Sequence, residues 1–241
     1  MEEKVKGIVL KLSDYKEADK LASIFTLEQG VITAKFTGVK KEKAKLKALA
    51  QPFVFAEFIL NKKGNVNQVI NATLIDNFYN ILNNYNKTIC AYIVLDIINS
   101  ILPKNKIETN LFLITVNALK NIETQNEYEE TIKYILQFIS FSGMGLEFPE
   151  SEYVYLDKTT GDFSLERNLN STQIDKKVYK ILKNIAKNMQ INEKNAKNLQ
   201  NFENFSNNEI ENETILKQIL RMLHNIIFIK FNEDIKSFQF I

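Results

Sequence analysis

Lys35, Lys40, Lys41, Lys43, Lys45 and Lys47 crowd into the segment 35–47 against a single acid, Glu42. Ammonium groups at this density create a local positive field suited to neutralising nucleic-acid phosphates. A solvated loop can carry the same run, so density alone does not decide. Single strands are commonly held without sequence preference in a basic groove with aromatic platforms. The aromatic residues that could serve here are Tyr15, Phe36 and Phe53. Phe36 shares one face of an alternating run with Ile32 and Ala34, which assigns it to a core. Tyr15, in Asp14-Tyr15-Lys16, is the better stacking candidate. Only Arg167 and Arg221 are arginines among 31 basic residues. Lysine meets phosphate as a point charge and lacks the fork that reads base edges, so backbone would be bound more than sequence.

Other reactive residue types are sparse. One Cys and one His exclude a disulfide framework and thiolate-rich or His-rich metal centres built from one chain. Cys90 sits within a helical apolar pattern and reads as a buried structural thiol. His224, between Leu223 and Asn225, lies one residue off an apolar stripe and reads as a helix-surface residue. A single His leaves no assembled Ser-His-Asp set. Neither GxxxxGK[ST] nor GxGxxG occurs. Gly143-Met144-Gly145 reads as a helix stop. Glu129-Glu130 and Glu233-Asp234 are adjacent pairs whose side chains diverge on a helix. No enzymatic activity is expected.

The elements that must present the lysines come first in the chain. Val5–Leu12, Lys20–Thr26, Val31–Thr37, Phe53–Leu60 and Val66–Ile75 are predicted strands. The breaks between them fall at Ser13-Asp14, Gly30, Pro52 and Lys62-Lys63-Gly64-Asn65. The third run alternates, with Ile32, Ala34 and Phe36 on one face. The fourth is apolar on both faces apart from Glu57, as in a strand covered on two sides. Five short strands used on both faces predict a small closed barrel. From Asp76 the spacing becomes helical and runs to Pro103. Further helices are predicted at 111–122, 128–141, 171–189 with Ser171 as N-cap, and 210–231. A small hairpin about Thr160-Gly161-Asp162 interrupts them, and Asn188–Asn208 is poorly periodic. The fold class is α+β: a five-stranded barrel over 1–75, then a helical domain over 76–241 with an irregular insertion at about 143–170.

Composition agrees with an ordinary globular protein, at 45% hydrophobic and 25% charged residues. The net charge of +2 hides an asymmetry. Residues 1–70 carry 13 Lys against 8 acids, whereas the rest carries 18 basic and 21 acidic residues. No apolar run reaches the roughly 18 residues of a membrane span. Met1-Glu2-Glu3-Lys4 lacks the layout of a signal peptide. A cytoplasmic, nucleoid-associated location without membrane contact is expected.

The order of these features resembles the RecO family of recombination mediators. The resemblance rests on Gly7-Ile8-Val9-Leu10, Asp14-Tyr15-Lys16-Glu17-Ala18-Asp19-Lys20-Leu21 and Phe25-Thr26-Leu27-Glu28-Gln29-Gly30. It continues through Ala34–Lys41 and Leu49-Ala50-Gln51-Pro52-Phe53. It extends loosely through Gly143–Phe148 to Ile235–Ile241. It implies an OB-type barrel and a helical domain. It further implies binding of single- and double-stranded DNA, strand annealing, and recombinase loading on coated single strands. RecR and the acidic-hydrophobic tail of single-strand-binding protein are the implied partners. Carried onto matching positions, the DNA-facing residues are Lys35, Lys40 and Lys41, followed by Lys43 and Lys45, with Tyr15 as stacker. Arg221, Lys217 or Lys133 would supply a cation for the tail's carboxylate. Many family members hold zinc through four cysteines after the mid-chain glycines. Residues 146–170 contain neither Cys nor His here, so no zinc is expected. Competing readings are a protein-binding scaffold without DNA affinity and a metal-dependent nuclease.

Overall fold

The computed structural model describes residues 2–63, 66–194 and 209–241. Strands β1 (Glu2–Tyr15), β2 (Asp19–Thr26), β3 (Gly30–Phe36), β4 (Phe55–Lys63) and β5 (Val66–Asp76) close into a barrel of order β1-β2-β3-β5-β4. β1 is 14 residues long because it serves two neighbours. Glu2–Ile8 pairs with β4 and Gly7–Tyr15 with β2, with a register shift between Val9 and Lys11 where the strand bends. Every pairing is antiparallel except β3 with β5, which meet in parallel through Ala34↔Asn67, Lys35↔Gln68 and Phe36↔Val69. This is an OB-type barrel followed by helices, as expected.

The alternation in β3 points Ile32, Ala34 and Phe36 into the barrel, where all three are buried. The Phe36 ring meets Phe58 edge-on at 6.2 Å. Burying one such ring contributes roughly 1.5–3 kcal/mol. The opposite face is covered as well, because Phe25 and Phe55 pack on Phe112 at 5.3 and 5.9 Å. Phe53 precedes β4 instead of opening it. Its backbone is left-handed (φ +70°) and its ring packs on Tyr92 at 4.7 Å.

The predicted first helix is two: a single turn, α1 (Tyr79–Leu82), then α2 (Tyr85–Ile101). Apolar spacing continues across the break, but Asn84 leaves the helix and caps α2 by accepting the Lys87 N–H at 3.0 Å. Burial runs nearly all round the middle of α2 and includes Cys90, as a central helix requires. α3 (Thr109–Thr124) supplies Phe112. The chain divides into compact units of residues 1–123 and 124–241. Periodicity changes at Asp76, where strands end, whereas the core built on them continues through the helices that cover it.

The second unit contains α4 (Glu127–Phe141), a three-stranded sheet of β6 (Tyr155–Asp157), β7 (Phe163–Ser164) and β8 (Ser171–Gln173), α5 (Lys176–Lys194) and α6 (Glu209–Phe231). The predicted hairpin forms, with Tyr155↔Ser164 and Leu156↔Phe163 in register. Ser171 does not cap a helix. It lies in β8, and its hydroxyl is engaged with the backbone of Asn168. Asp175 caps α5 instead, accepting N–H bonds from Lys177 and Val178 at 2.9 and 3.0 Å. The predicted Asn-rich stretch lies largely outside the described residues.

The insertion is held by side chains. Phe148, Phe163 and Tyr179 form a triangle with ring separations of 5.4, 6.3 and 5.4 Å. The Tyr179 hydroxyl donates to the Pro149 carbonyl at 2.9 Å, and burial together with the Glu150 charge pushes its pKa up to about 12. Lys230 pairs with Asp162 at 2.6 Å. Asp157 accepts from the hydroxyl and N–H of Thr159, the N–H of Thr160 and the Asn168 amide. The Thr159 hydroxyl, then Asn168, hold its carboxyl well below the usual range. A lowered folded pKa stabilises above the unfolded value of about 3.9, and that contribution fades as pH falls below it. The thermal midpoint of the intact protein should therefore exceed that of Asp157→Asn at pH 7, and the gap should narrow towards pH 3. A gap independent of pH would remove this role for the carboxylate.

Candidate nucleic-acid interface

The lysines sit on a loop whose spacing pins it to the barrel. After β3 the chain turns at Gly38 (φ +66°), whose N–H donates to Asp19 Oδ1 at 2.7 Å. Short turns follow, closed by Lys41 N–H to Gly38 O, Ala44 N–H to Lys41 O and Lys47 N–H to Ala44 O at 3.1–3.2 Å. A 3-10 turn at Lys47–Leu49 ends the loop. Val39 and Ala50 belong to the barrel core, with Leu46 and Leu49 packed against it. The loop is thus anchored by its apolar residues and presents Lys40, Lys41, Lys43, Lys45 and Lys47 exposed.

Two lysines are tied to carboxylates. Lys35 Nζ lies 3.8 Å from Asp19 Oδ2, and Lys40 Nζ donates to Asp14 Oδ2 at 3.0 Å. The Lys40 hydrogen bond, and then its charge, hold the Asp14 carboxyl below the usual range. The Lys40 N–H also donates to the Ala18 carbonyl at 3.0 Å, joining the loop to the β1–β2 turn. Among the described residues Lys41, Lys43 and Lys45 have no ion-pair partner.

Tyr15 ends β1 with 37% of its surface exposed, and Lys16 Nζ stands 5.4 Å from its ring centroid. Phe36 and Phe53 are fully buried, so neither can stack a base. Strand pairing brings in residues that sequence spacing does not single out. Asp14 pairs with Lys20, and Lys20 pairs with Phe36, so three strands align these residues in one row. Asp14, Lys20, Val39, Lys40, Lys47, Ala50 and Gln51 line an open pocket of about 400 Å³. The signal that could have found Lys20 is a hairpin pairing of the first two strands about the turn after Tyr15, which sets Lys20 opposite Asp14.

In the second unit the three cations offered for a tail carboxylate differ. Burial alone would lower the Lys133 ammonium, but hydrogen bonds to Glu129 and Glu130 at 2.8 and 2.7 Å outweigh it and raise it. Lys217 is paired with Glu213 at 2.9 Å and stands over Tyr128. Arg221 lines an apolar cleft of about 640 Å³ with Leu156, Met222, Phe228 and Ile229, and donates to the main-chain oxygen of Ile241 at 2.8 Å. His224 stacks on Phe238 at 4.4 Å and meets Asp234 at 3.0 Å, fastening residues 234–238 to α6. Among the described residues no group of three His, Cys, Asp or Glu is placed to hold a metal. Among them, too, no helix is long and apolar enough to cross a membrane.

Residues 1–78 match the family described as Recombination protein O N terminal, ending where the barrel gives way to helices. The chain is 28% identical over 205 residues to the DNA repair protein RecO of Clostridium perfringens, covering 73% of this chain and 82% of that protein. It is 27% identical over 161 residues to the DNA repair protein RecO of Bacillus subtilis, covering 66% of this chain and 62% of that protein. It is 25% identical over 148 residues to that of Caldicellulosiruptor saccharolyticus, covering 61% of each. In the latter two matches the chain thus spans about three fifths of its relatives' length. The resemblance drawn from residues 5–53 is borne out.

Proposed function

We propose that this chain is a RecO-type recombination mediator in DNA repair, which binds single- and double-stranded DNA and makes or breaks no covalent bond. The observation that carries the reading is the lysine loop, pinned by Val39, Leu46, Leu49 and Ala50 to the end of a barrel that matches the RecO N-terminal family. Lys35, Lys40, Lys41, Lys43 and Lys45 neutralise phosphates, and Tyr15 gives a base a face to stack on. With their charge screened, two complementary backbones approach and anneal. The same contacts hold a coated single strand during recombinase loading. RecR and the tail of single-strand-binding protein are the partners. The Arg221 cleft suits such a tail better than Lys133 or Lys217, because it combines an apolar wall with a cation that pairs with no Asp or Glu side chain among the described residues. The chain works without zinc.

The test is affinity for a labelled single-stranded oligonucleotide across a salt series, followed by annealing of complementary strands. Log affinity should fall with log salt at about −0.7 per neutralised phosphate, with several phosphates involved. Absence of binding even at low salt would overturn the reading and leave a protein-binding scaffold.

A further inference from the structure

The pocket at the lysine end of the barrel contains a carboxylate that a simple cationic surface would not need. Lys20, Lys40 and Lys47 line it, Val39 and Ala50 floor it, and Gln51 adds an amide. Its single acid is Asp14, which accepts from Lys40 Nζ at 3.0 Å and feels the charge of Lys20. One carboxylate therefore stands among three ammonium groups, offering two anionic oxygens as a phosphodiester does.

The two acids of this region differ in kind. Asp19 is 14% exposed in its side chain and ties Gly38 as well as Lys35, so it belongs to the loop's framework. Asp14 is 68% exposed, and its bond goes to the ammonium of Lys40. An exposed ion pair of this sort is weak and screened by salt, hence readily exchanged. Resting on the reading that the chain binds DNA, we infer that this pocket binds one backbone phosphate and that Asp14 is the placeholder it displaces. The phosphate takes over the hydrogen bond from Lys40 and gains Lys20 and Lys47, while the Asp14 carboxylate swings to solvent. The remaining volume of the roughly 400 Å³ pocket admits the attached sugar.

The full-length protein should be compared with Asp14→Asn, Glu17→Gln and Lys20→Ala/Lys47→Ala on a labelled oligothymidylate at several salt concentrations. Glu17 is an exposed acid of the same turn that does not line the pocket, so it reports the generic effect of removing a negative charge. In the parent the phosphate must first break the Lys40–Asp14 pair, which offsets most of one phosphate contact; removing that competition gains up to about fivefold in affinity at 0.1 M salt, with a slope steeper by up to about 0.7. Asp14→Asn should show this gain and Glu17→Gln less than half of it. The double lysine variant should lose at least about fivefold. In parallel, deoxythymidine monophosphate should shift the backbone amide resonances of Lys40, Lys47 and Gln51, whereas deoxythymidine should not. If DNA binds but Asp14→Asn matches Glu17→Gln, or both probes act alike, the placeholder is wrong and the DNA reading stands. If DNA fails to bind, the nucleotide arm still decides the pocket: selective shifts support it, and none overturns it.

Discussion

Replacing Lys35, Lys40 and Lys41 together with Glu is expected to abolish DNA binding at moderate salt while the protein stays folded. Each neutralised phosphate contributes about fivefold at 0.1 M salt, so losing three costs roughly two orders of magnitude, and reversing their sign costs more. The fold should tolerate the change. Lys35 and Lys40 keep 29% and 33% of their side-chain surface, and their partnerships with Asp19 and Asp14 are partly exposed pairs. Such pairs contribute about 0–1 kcal/mol, and the repulsion replacing them is of similar size. Affinity measured by anisotropy alongside a thermal melt reads both quantities. Unchanged affinity would sink the assignment of this face. Should the melt collapse instead, Lys41→Glu/Lys43→Glu/Lys45→Glu carries the question, since those side chains have no ion-pair partners to disturb among the described residues.

Gly30→Ala is expected to be the most damaging small substitution in the barrel, lowering stability by roughly 3 kcal/mol or more. Two penalties combine. Gly30 holds φ +69°, which costs an L-residue about 1–2 kcal/mol. Its missing Cβ would also lie against the Lys106 carbonyl oxygen and 2.6 Å from the carbonyl carbon. That neighbour cannot retreat cheaply. The segment is held by the Asn105 N–H to Val31 carbonyl bond at 3.0 Å and by the bridge between Val31 and Lys104. Urea denaturation reads the effect. A variant within about 1 kcal/mol of the parent would mean that the chain does not pass this closely beside β3.

What the sequence revealed and what it hid follow from the range of the forces involved. The inward face of β3 was legible because Ile32, Ala34 and Phe36 repeat every second residue, a purely local signal. The lysine loop was legible for the same reason, since charge density is read along the chain. The break at Asn83-Asn84 was hidden because apolar spacing runs through it, and only the cap geometry of Asn84 shows where α2 begins. Ser171 and Asp175 are both good caps by type. Choosing between them required knowing that β8 claims Ser171. The pocket was hidden most completely. Asp14 and Lys20 face each other only through strand register, and Lys47 joins them only because Leu46, Leu49 and Ala50 fold the loop back. Phe53 looked like a strand opener or a stacker, and a left-handed backbone turns it into a plug against Tyr92.

The barrel's closure is uneven, and the unevenness has a mechanical meaning. β1 and β4 are stitched along seven residue pairs, whereas β3 and β5 meet along three. The middle pair of that short seam is Lys35 with Gln68. Just beyond it the Gln68 amide reaches across to the Thr37 hydroxyl at 3.3 Å. The shortest zipper in the hoop therefore runs beneath a cation of the proposed DNA face. On the proposed function, a polyanion drawn across this edge would act as a clasp, and work done in prising the hoop open there would be work done against the bound strand.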